Sequence, residues 1–353
     1  MFDWLMARLR ADAQLTMLLA SLLAIFLLWM LLGRVLAPLF VAVALAYVLE
    51  GVVALLCRLR LPRLLAITLV GLGCLVIVLF SLLALLPLLT EQIGRLVAHV
   101  PDYIAATRTS LRALQAHYAG WVAPEALPQL IAAGAGKMQE WGGRLLSFSI
   151  ASIPGVITLL VYAVLVPVLV FFLLKDKEEI MAWAAQFLPR ERTLLVRVWH
   201  ELDIQIGNYI RGRFWESLAV GLAMWLLFAL MDHQYALLLA VLTGISVWVP
   251  FVGAVVVGLP VVLLSFFQWG WAEETLYALG AYVLVQLLDA NIVIPWLFSE
   301  MVNLHPVAII VAVLLFGSLG GMLGVFLAIP LAALVQSVLT IVIERWRGPG
   351  RPA

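Results

Sequence analysis

Apolar residues occur along this chain in runs long enough to cross a bilayer, and most polar residues fall between the runs. The first run follows Arg8 and Arg10 with no small-residue cleavage motif behind it, which predicts a retained first span. Leu36 to Cys57 and Leu64 to Leu89 predict spans two and three. The third exceeds the ~20 residues that a crossing needs, so it should tilt or project from the membrane. Ile153 to Leu174, with Pro154 near its start and Pro167 inside, predicts a fourth span, Phe214 to Met231 a fifth and Leu276 to Leu297 a sixth. Two further apolar stretches are broken. Residues 235–268 are interrupted at Trp248-Val-Pro-Phe-Val-Gly253, leaving arms too short for a full crossing. Residues 305–343 would be roughly 58 Å long as one straight helix, about twice the hydrocarbon thickness. They must bend, and the glycine-rich Gly317–Gly324 is where they can.

Two segments have a different pattern. From Thr90 to Ser149 polar and apolar residues mix at helical spacing, which predicts an extramembrane helical insert with turns at Pro101, Gly120, Pro124, Pro128 and Gly134–Gly136. From Lys175 to Arg213 the densest basic stretch carries apolar residues at i, i+3, i+4 and i+7, predicting two amphipathic helices on the cytoplasmic face, broken at Pro189. The resulting order is spans one to three (1–89), the insert (90–149), span four (150–174), the cytoplasmic helices (175–213) and a C-terminal region with two broken hairpins (214–346). The fold class is all-α, a polytopic integral membrane protein. With the N-terminus inside, Arg58–Arg63, Lys175–Arg213, Arg345 and Arg347 all fall in the cytoplasm, while the loop from Gln268 to Glu274, free of Lys and Arg, falls outside.

An offset of 70 positions aligns Pro250 with Gly320, Ala254 with Gly324 and Pro260 with Pro330, each within a broken stretch preceded by a full span. In this topology the first hairpin dips in from outside and the second from inside. That is the inverted-repeat arrangement of transporters with paired re-entrant hairpins. Two glycine- and proline-rich hairpins that merely look alike are the plainer alternative. Candidate break and hinge positions are Pro250, Gly253, Pro260, Gly317, Gly320, Gly321, Gly324 and Pro330.

Composition agrees with the pattern: 65% hydrophobic, 12% charged and a mean hydropathy of +1.13. A net charge of +1 provides no global basic field for nucleic acid. Cys57 and Cys74 lack the spacing of a metal pair and read as free buried thiols. Gly134-Ala-Gly-Lys137 lacks the Ser/Thr and the first glycine of a phosphate loop, His200-Glu201 lacks the second histidine of a zinc-protease helix, and no GxSxG occurs. Neither an enzyme nor a cofactor is expected.

Charged and amide groups inside apolar runs are the candidate chemistry, because each needs a partner or water at that depth. Asp289 is the first candidate. Gln286 shares its helix face at i, i+3, and Asn291 follows closely. All three have helix-to-helix hydrogen bonding as the alternative role. Glu50 lies two turns inside its span. Arg211, Arg213 and Glu216 open the fifth span; Arg211 and Arg213 read first as interface anchors, and second as guides for an anionic solute or partners of an acid. His305 reads as a helix cap before Pro306 or as a proton relay.

Several stretches together resemble the autoinducer-2 exporter family of bacterial permeases. They are Ala37-Pro-Leu with Ala44-Leu-Ala-Tyr47, Phe171 to Asp176, Gly207-Asn-Tyr-Ile-Arg-Gly212, Val249 to Gly253 with Pro260, Asp289 to Pro295, and Leu304-His-Pro306 through to Ala328-Ile-Pro330. Ser299 departs from the pattern. The resemblance implies an inner-membrane protein with about eight embedded segments, a helical insert after the third and homo-oligomeric assembly. It also implies export of a small polar solute such as autoinducer-2, or sodium/proton antiport; no ATP-binding motif is visible, so a gradient or the solute itself should supply the energy. A non-transporting scaffold that binds protein partners is the competing class. The expected partners are therefore the lipid bilayer, a small polar solute or an ion, and further copies of the chain.

Overall fold

Pro38 stands in the first turn of helix α1 (Ala37–Arg58), where its missing N–H has no intrahelical role. The computed structural model describes residues 35–117, 153–187, 193–250, 252–298 and 305–347, with single positions between 16 and 33 and at 136, 137 and 140. Apart from those single positions, the predicted first span, most of the insert beyond His117, Pro189 and Ser299 lie outside the described residues. Every described element is helical, and five helices are long and apolar enough to cross a membrane.

After a short turn, α2 (Arg63–Phe80) passes through a π turn (Ser81–Leu85) into α3 (Leu86–His117). The third span thus projects far beyond the bilayer: the combined helix is roughly 80 Å long at 1.5 Å per residue, against ~30 Å of hydrocarbon. Pro101 does not mark a turn, because it lies inside α3. Contacts on either side hold that helix in place. The side chain of Gln92 accepts a hydrogen bond from Leu238 N (2.8 Å), and Tyr103 stacks on Phe267 at 4.4 Å.

Helices α4 (Ile153–Lys175) and α5 (Lys177–Ala185) follow, then α6 (Thr193–Leu230). Here the sequence reading needs correction. The second cytoplasmic helix and the fifth span are one helix, about 57 Å long, so Arg211 and Arg213 lie in mid-helix and not at the start of a span.

The first hairpin pairs α7 (Ala236–Ser246) with α8 (Val252–Trp269), broken where expected. Helix α9 (Glu273–Leu288) continues through a second π turn (Asp289–Val293) into the short α10 (Ile294–Phe298). The second hairpin pairs α11 (Pro306–Phe326), which kinks at Gly321 with φ +58°, with α12 (Ala328–Arg347). Both hairpins close on a glycine that has no room for a side chain. A Cβ on Gly253 would overlap the Ser246 carbonyl, and one on Gly324 the Phe316 carbonyl. Pro260 lies within α8, and Pro330 is buried early in α12. The base of the first hairpin sits by the C-terminal end of α6, where Gln234 N donates to Gln268 Oε1. The second hairpin returns along the N-terminal half of α6, where Ser337 faces Glu201. They therefore enter from opposite ends of α6, and their tips meet: Trp248 and Phe326 form an edge-on ring pair at 5.2 Å.

Two cores organise these elements. Ala42, Val53, Ile67 and Val170 bind α1, α2 and α4 together; Met224, Phe228, Leu239 and Val261 bind α6, α7 and α8, and α9 joins them through Ala278 and Val285. The two bodies touch where Val48 of α1 packs on Tyr209 and Ile210 of α6. Large apolar side chains such as Leu83, Leu230 and Val255 stand outward, the arrangement a lipid solvent stabilises.

Candidate functional site

Small residues let α6 and α7 approach closely. Ser217 Oγ donates to the Gly244 carbonyl at 2.6 Å, and a Cβ on Gly244 would lie 2.8 Å from the Ser217 carbonyl. This contact, typical of packing between membrane helices, brings the open end of α7 over α6. There Arg213 Nη1 donates to both Glu216 oxygens, at 2.8 and 2.9 Å, and to the Val247 carbonyl at 3.1 Å. The guanidinium thus satisfies a carbonyl left free where the hairpin breaks, at the negative end of the α7 dipole. Arg213 is 9% exposed and Glu216 1%. The Arg213 guanidinium lies 5.1 Å from the centre of the Phe298 ring and 5.7 Å from that of Tyr209. Phe298 reaches α6 because residue 212 is glycine, where a Cβ would come within 2.7 Å of the ring.

Asp289 completes the group. It starts the π turn of the α9–α10 helix, a distortion that recurs at functional sites. It is 8% exposed and within electrostatic reach of Arg213 and Glu216. Asp289 Oδ1 is buried without a hydrogen-bond partner. One unpaired carboxylate oxygen beside a single buried cation and a second buried acid leaves the set incomplete, and an ion, a proton or water can fill it.

Of the sequence candidates, the structure brings Arg213, Glu216 and Asp289 together. Arg213 is no interface anchor, because a residue so buried and doubly bonded to an acid does not reach the headgroups. Gln286 is half-buried one turn before Asp289. Asn291 is exposed, and its amide donates to the Leu287 carbonyl of its own helix. Glu50 pairs with Arg63 at the α1–α2 turn, at 3.3 Å. His305 is exposed, and its Nδ1 accepts from Val307 N at the start of α11, the geometry of a helix cap. The break positions Pro250, Gly253, Gly317, Gly320, Gly321 and Gly324 sit at or beside the two tips. Tyr209 and Phe298 were missed by sequence reasoning. The spacing of Tyr209, Arg213 and Glu216 at i, i+4 and i+7 places all three on one face of α6 and was the available signal.

Beside the cluster lies a cavity of about 230 Å³ with a wholly apolar lining, walled by Ala44 and Val48 of α1, Ile210 and Phe214 of α6, and the tip residues Trp248 and Phe326. Among the described residues no group of His, Cys, Asp and Glu could hold a metal ion.

Apolar crossing helices, two opposed broken hairpins and a buried charge cluster where they meet define a polytopic α-helical membrane transporter. The chain belongs to the family described as AI-2E family transporters, whose model matches residues 18–344. It is 39% identical over 304 residues to a protein of Escherichia coli (strain K12) named as a permease, PerM, covering 86% of each chain. A Bacillus subtilis (strain 168) protein named as a transport protein, YueF, is 27% identical, with 87% of this chain and 84% of that one covered. The AI-2 transport protein TqsA of Escherichia coli (strain K12) is 23% identical, with coverage of 87% and 86%.

Proposed function

We propose that this protein is a secondary transporter of the bacterial inner membrane, with both termini in the cytoplasm. It moves a small polar solute past the meeting point of its hairpin tips and uses the carboxylates of Asp289 and Glu216, beside Arg213, to bind a proton or a monovalent cation. Asp289 carries this reading: a carboxylate buried in a crossing helix, on a π turn, with one oxygen unpartnered. Such a group is costly in lipid unless something compensates it. One guanidinium facing two carboxylates leaves a place for one more positive charge. The free end of α7 adds a partial negative charge at the same point.

The printed name of TqsA makes an autoinducer-2-like furanosyl diol the first solute to test. The charge imbalance of the cluster favours sodium/proton antiport as the second reading. Proteoliposomes containing the full chain should show flux of the diol, sodium or protons that depends on pH or sodium, and Asp289→Asn should abolish that dependence. Flux indifferent to both gradients and to Asp289→Asn overturns the coupling role and leaves an uncoupled facilitator. Permeability equal to that of protein-free liposomes, with a protein partner co-purifying, turns the assignment to a scaffold.

A further inference from the structure

Helix α6 carries a polar stripe that leads to the buried cluster. Glu201, Gln205, Tyr209, Arg213 and Glu216 follow one another at steps of four, four, four and three residues, so they lie on one face of the helix. Glu201 is exposed, Gln205 is half-buried, and Tyr209, Arg213 and Glu216 are buried. The stripe therefore begins at the surface of the N-terminal half of α6 and ends at the ion pair. Side chains along it already meet. Gln205 Nε2 donates to Glu201 Oε1 at 3.4 Å, and the Tyr209 ring lies 5.7 Å from the Arg213 guanidinium.

Helix α12 covers this stripe in antiparallel register. Ser337 Oγ donates to Glu201 Oε1 at 3.4 Å. Eight residues earlier on α12, Ile329 packs on the patch that contains Tyr209, which lies eight residues later on α6. The register places Ala333 opposite Gln205. Ala333 is 3% exposed and presents only a methyl group, and Gln205 Oε1 is buried with no hydrogen-bond partner. An amide oxygen kept from every donor costs about 1–3 kcal/mol. A water bonded to Gln205 Oε1 removes that cost, and such a water needs further polar partners. The stripe supplies them one turn away on either side, in the Glu201 carboxylate and the Tyr209 hydroxyl. Glu201 at the outer end, and two carboxylates against one guanidinium at the inner end, favour positive charge along this line.

We propose that the α6–α12 seam is the hydrated path by which a proton or a monovalent cation reaches the Arg213–Glu216–Asp289 cluster from the end that carries Glu201, and that Gln205 is the positioning residue that holds water midway along it. The inference rests on the transport reading in taking the cluster as the ion site. Its test uses neither solute nor gradient, so the two fail separately.

The experiment uses the full chain in nanodiscs with Cys57→Ser and Cys74→Ala, and one reporter cysteine at a time. The rate at which Ag+, a thiol-binding monovalent cation, blocks the reporter is read as the loss of maleimide mass added after denaturation. Ala333→Cys should be blocked about tenfold faster than Val338→Cys, although Val338 is more exposed, at 9%, and lies nearer the open end of the seam. Depth and burial alone give the reverse order. Gln205→Leu should slow blocking of Ala333→Cys about tenfold, the factor that ~1.4 kcal/mol of lost hydrogen bonding to water gives, and Gln205→Glu should keep the rate. Blocking of Ala333→Cys no faster than that of Val338→Cys overturns the path. A rate that stays within about twofold in Gln205→Leu, or equal slowing by Gln205→Leu and Gln205→Glu, overturns the role of Gln205, because a polar group at that position would then not be what admits water.

Discussion

Arg213 and Glu216, one turn apart on α6, are joined through a single guanidinium nitrogen to both carboxylate oxygens, almost out of contact with solvent. A buried pair of this kind is no stability device. Its mutual attraction about offsets the desolvation of both charges, whereas removing one partner leaves the other uncompensated.

Glu216→Ala should therefore destabilise the purified protein by about 3–5 kcal/mol, while a double replacement by Met at 213 and Leu at 216 should cost much less. Thermal unfolding in detergent measures the contrast. If the double variant remains folded and has lost flux, the pair serves transport. A double variant as unstable as Glu216→Ala would show that the pair holds the helices together.

The sign should reverse at Asp289. Its Oδ1 lacks a partner in a buried setting, so removing the charge relieves an uncompensated group. Asp289→Asn is expected to leave the unfolding temperature unchanged or raise it, by an amount corresponding to at most about 1–2 kcal/mol. A clear loss of stability would mean that the carboxylate is a structural acceptor.

The spans, the two hairpin breaks and Asp289 were legible in the sequence for one reason: each is a local departure from, or continuation of, an apolar run. What stayed hidden depends on joins between segments. Periodicity does not distinguish a cytoplasmic helix that ends at Arg213 from one that continues into the bilayer, so α6 was divided and Arg213 was placed at an interface. Asn291 lies only two residues from Asp289, but two residues carry a helix through roughly half a turn, so it falls on the exposed side, and its amide bonds its own backbone. Glu50 found Arg63 through the turn between α1 and α2, a pairing that span-by-span reading does not supply. The Tyr47 hydroxyl of α1 donates to Asp203 Oδ1 of α6 across 156 positions of chain, and no local pattern joins the two.

The hairpin tips make a second contrast. Gly253→Ala and Gly324→Ala each place a methyl group into a carbonyl oxygen of the preceding arm, at Ser246 and Phe316. Each should open its tip and cost several kcal/mol, as over-packing against backbone does. Gly73→Ala and Gly280→Ala meet nothing within 4 Å. They should be neutral or stabilising by up to about 1 kcal/mol, the helix propensity gained over glycine. Unfolding temperatures of the four variants test this, and equal effects in both pairs would refute the tight-tip geometry.

His233, in the turn between α6 and α7, gives the protein a pH dependence. Its Nδ1 accepts from Tyr235 N at 3.1 Å, which leaves the Nε2 proton for Ser265 Oγ at 3.3 Å. The ring stacks on Phe228 and meets the edge of Trp269. This setting fits the neutral ring, and burial lowers its pKa from 6.5 to about 4. A group whose folded pKa is depressed takes up its proton more readily in the unfolded chain. Stability is therefore fully present above pH 6.5 and is lost as pH falls from 6.5 towards 4. By pH 4.5 the loss should be roughly 2.5 kcal/mol, at 1.36 kcal/mol per unit. His233→Asn retains an acceptor for Tyr235 N without the titration, so it should begin less stable at pH 7.5 and lose less on acidification. Melts of both proteins at pH 7.5, 6 and 4.5 measure the difference. Parallel decline of the two curves would assign the acid sensitivity to carboxylates elsewhere in the chain.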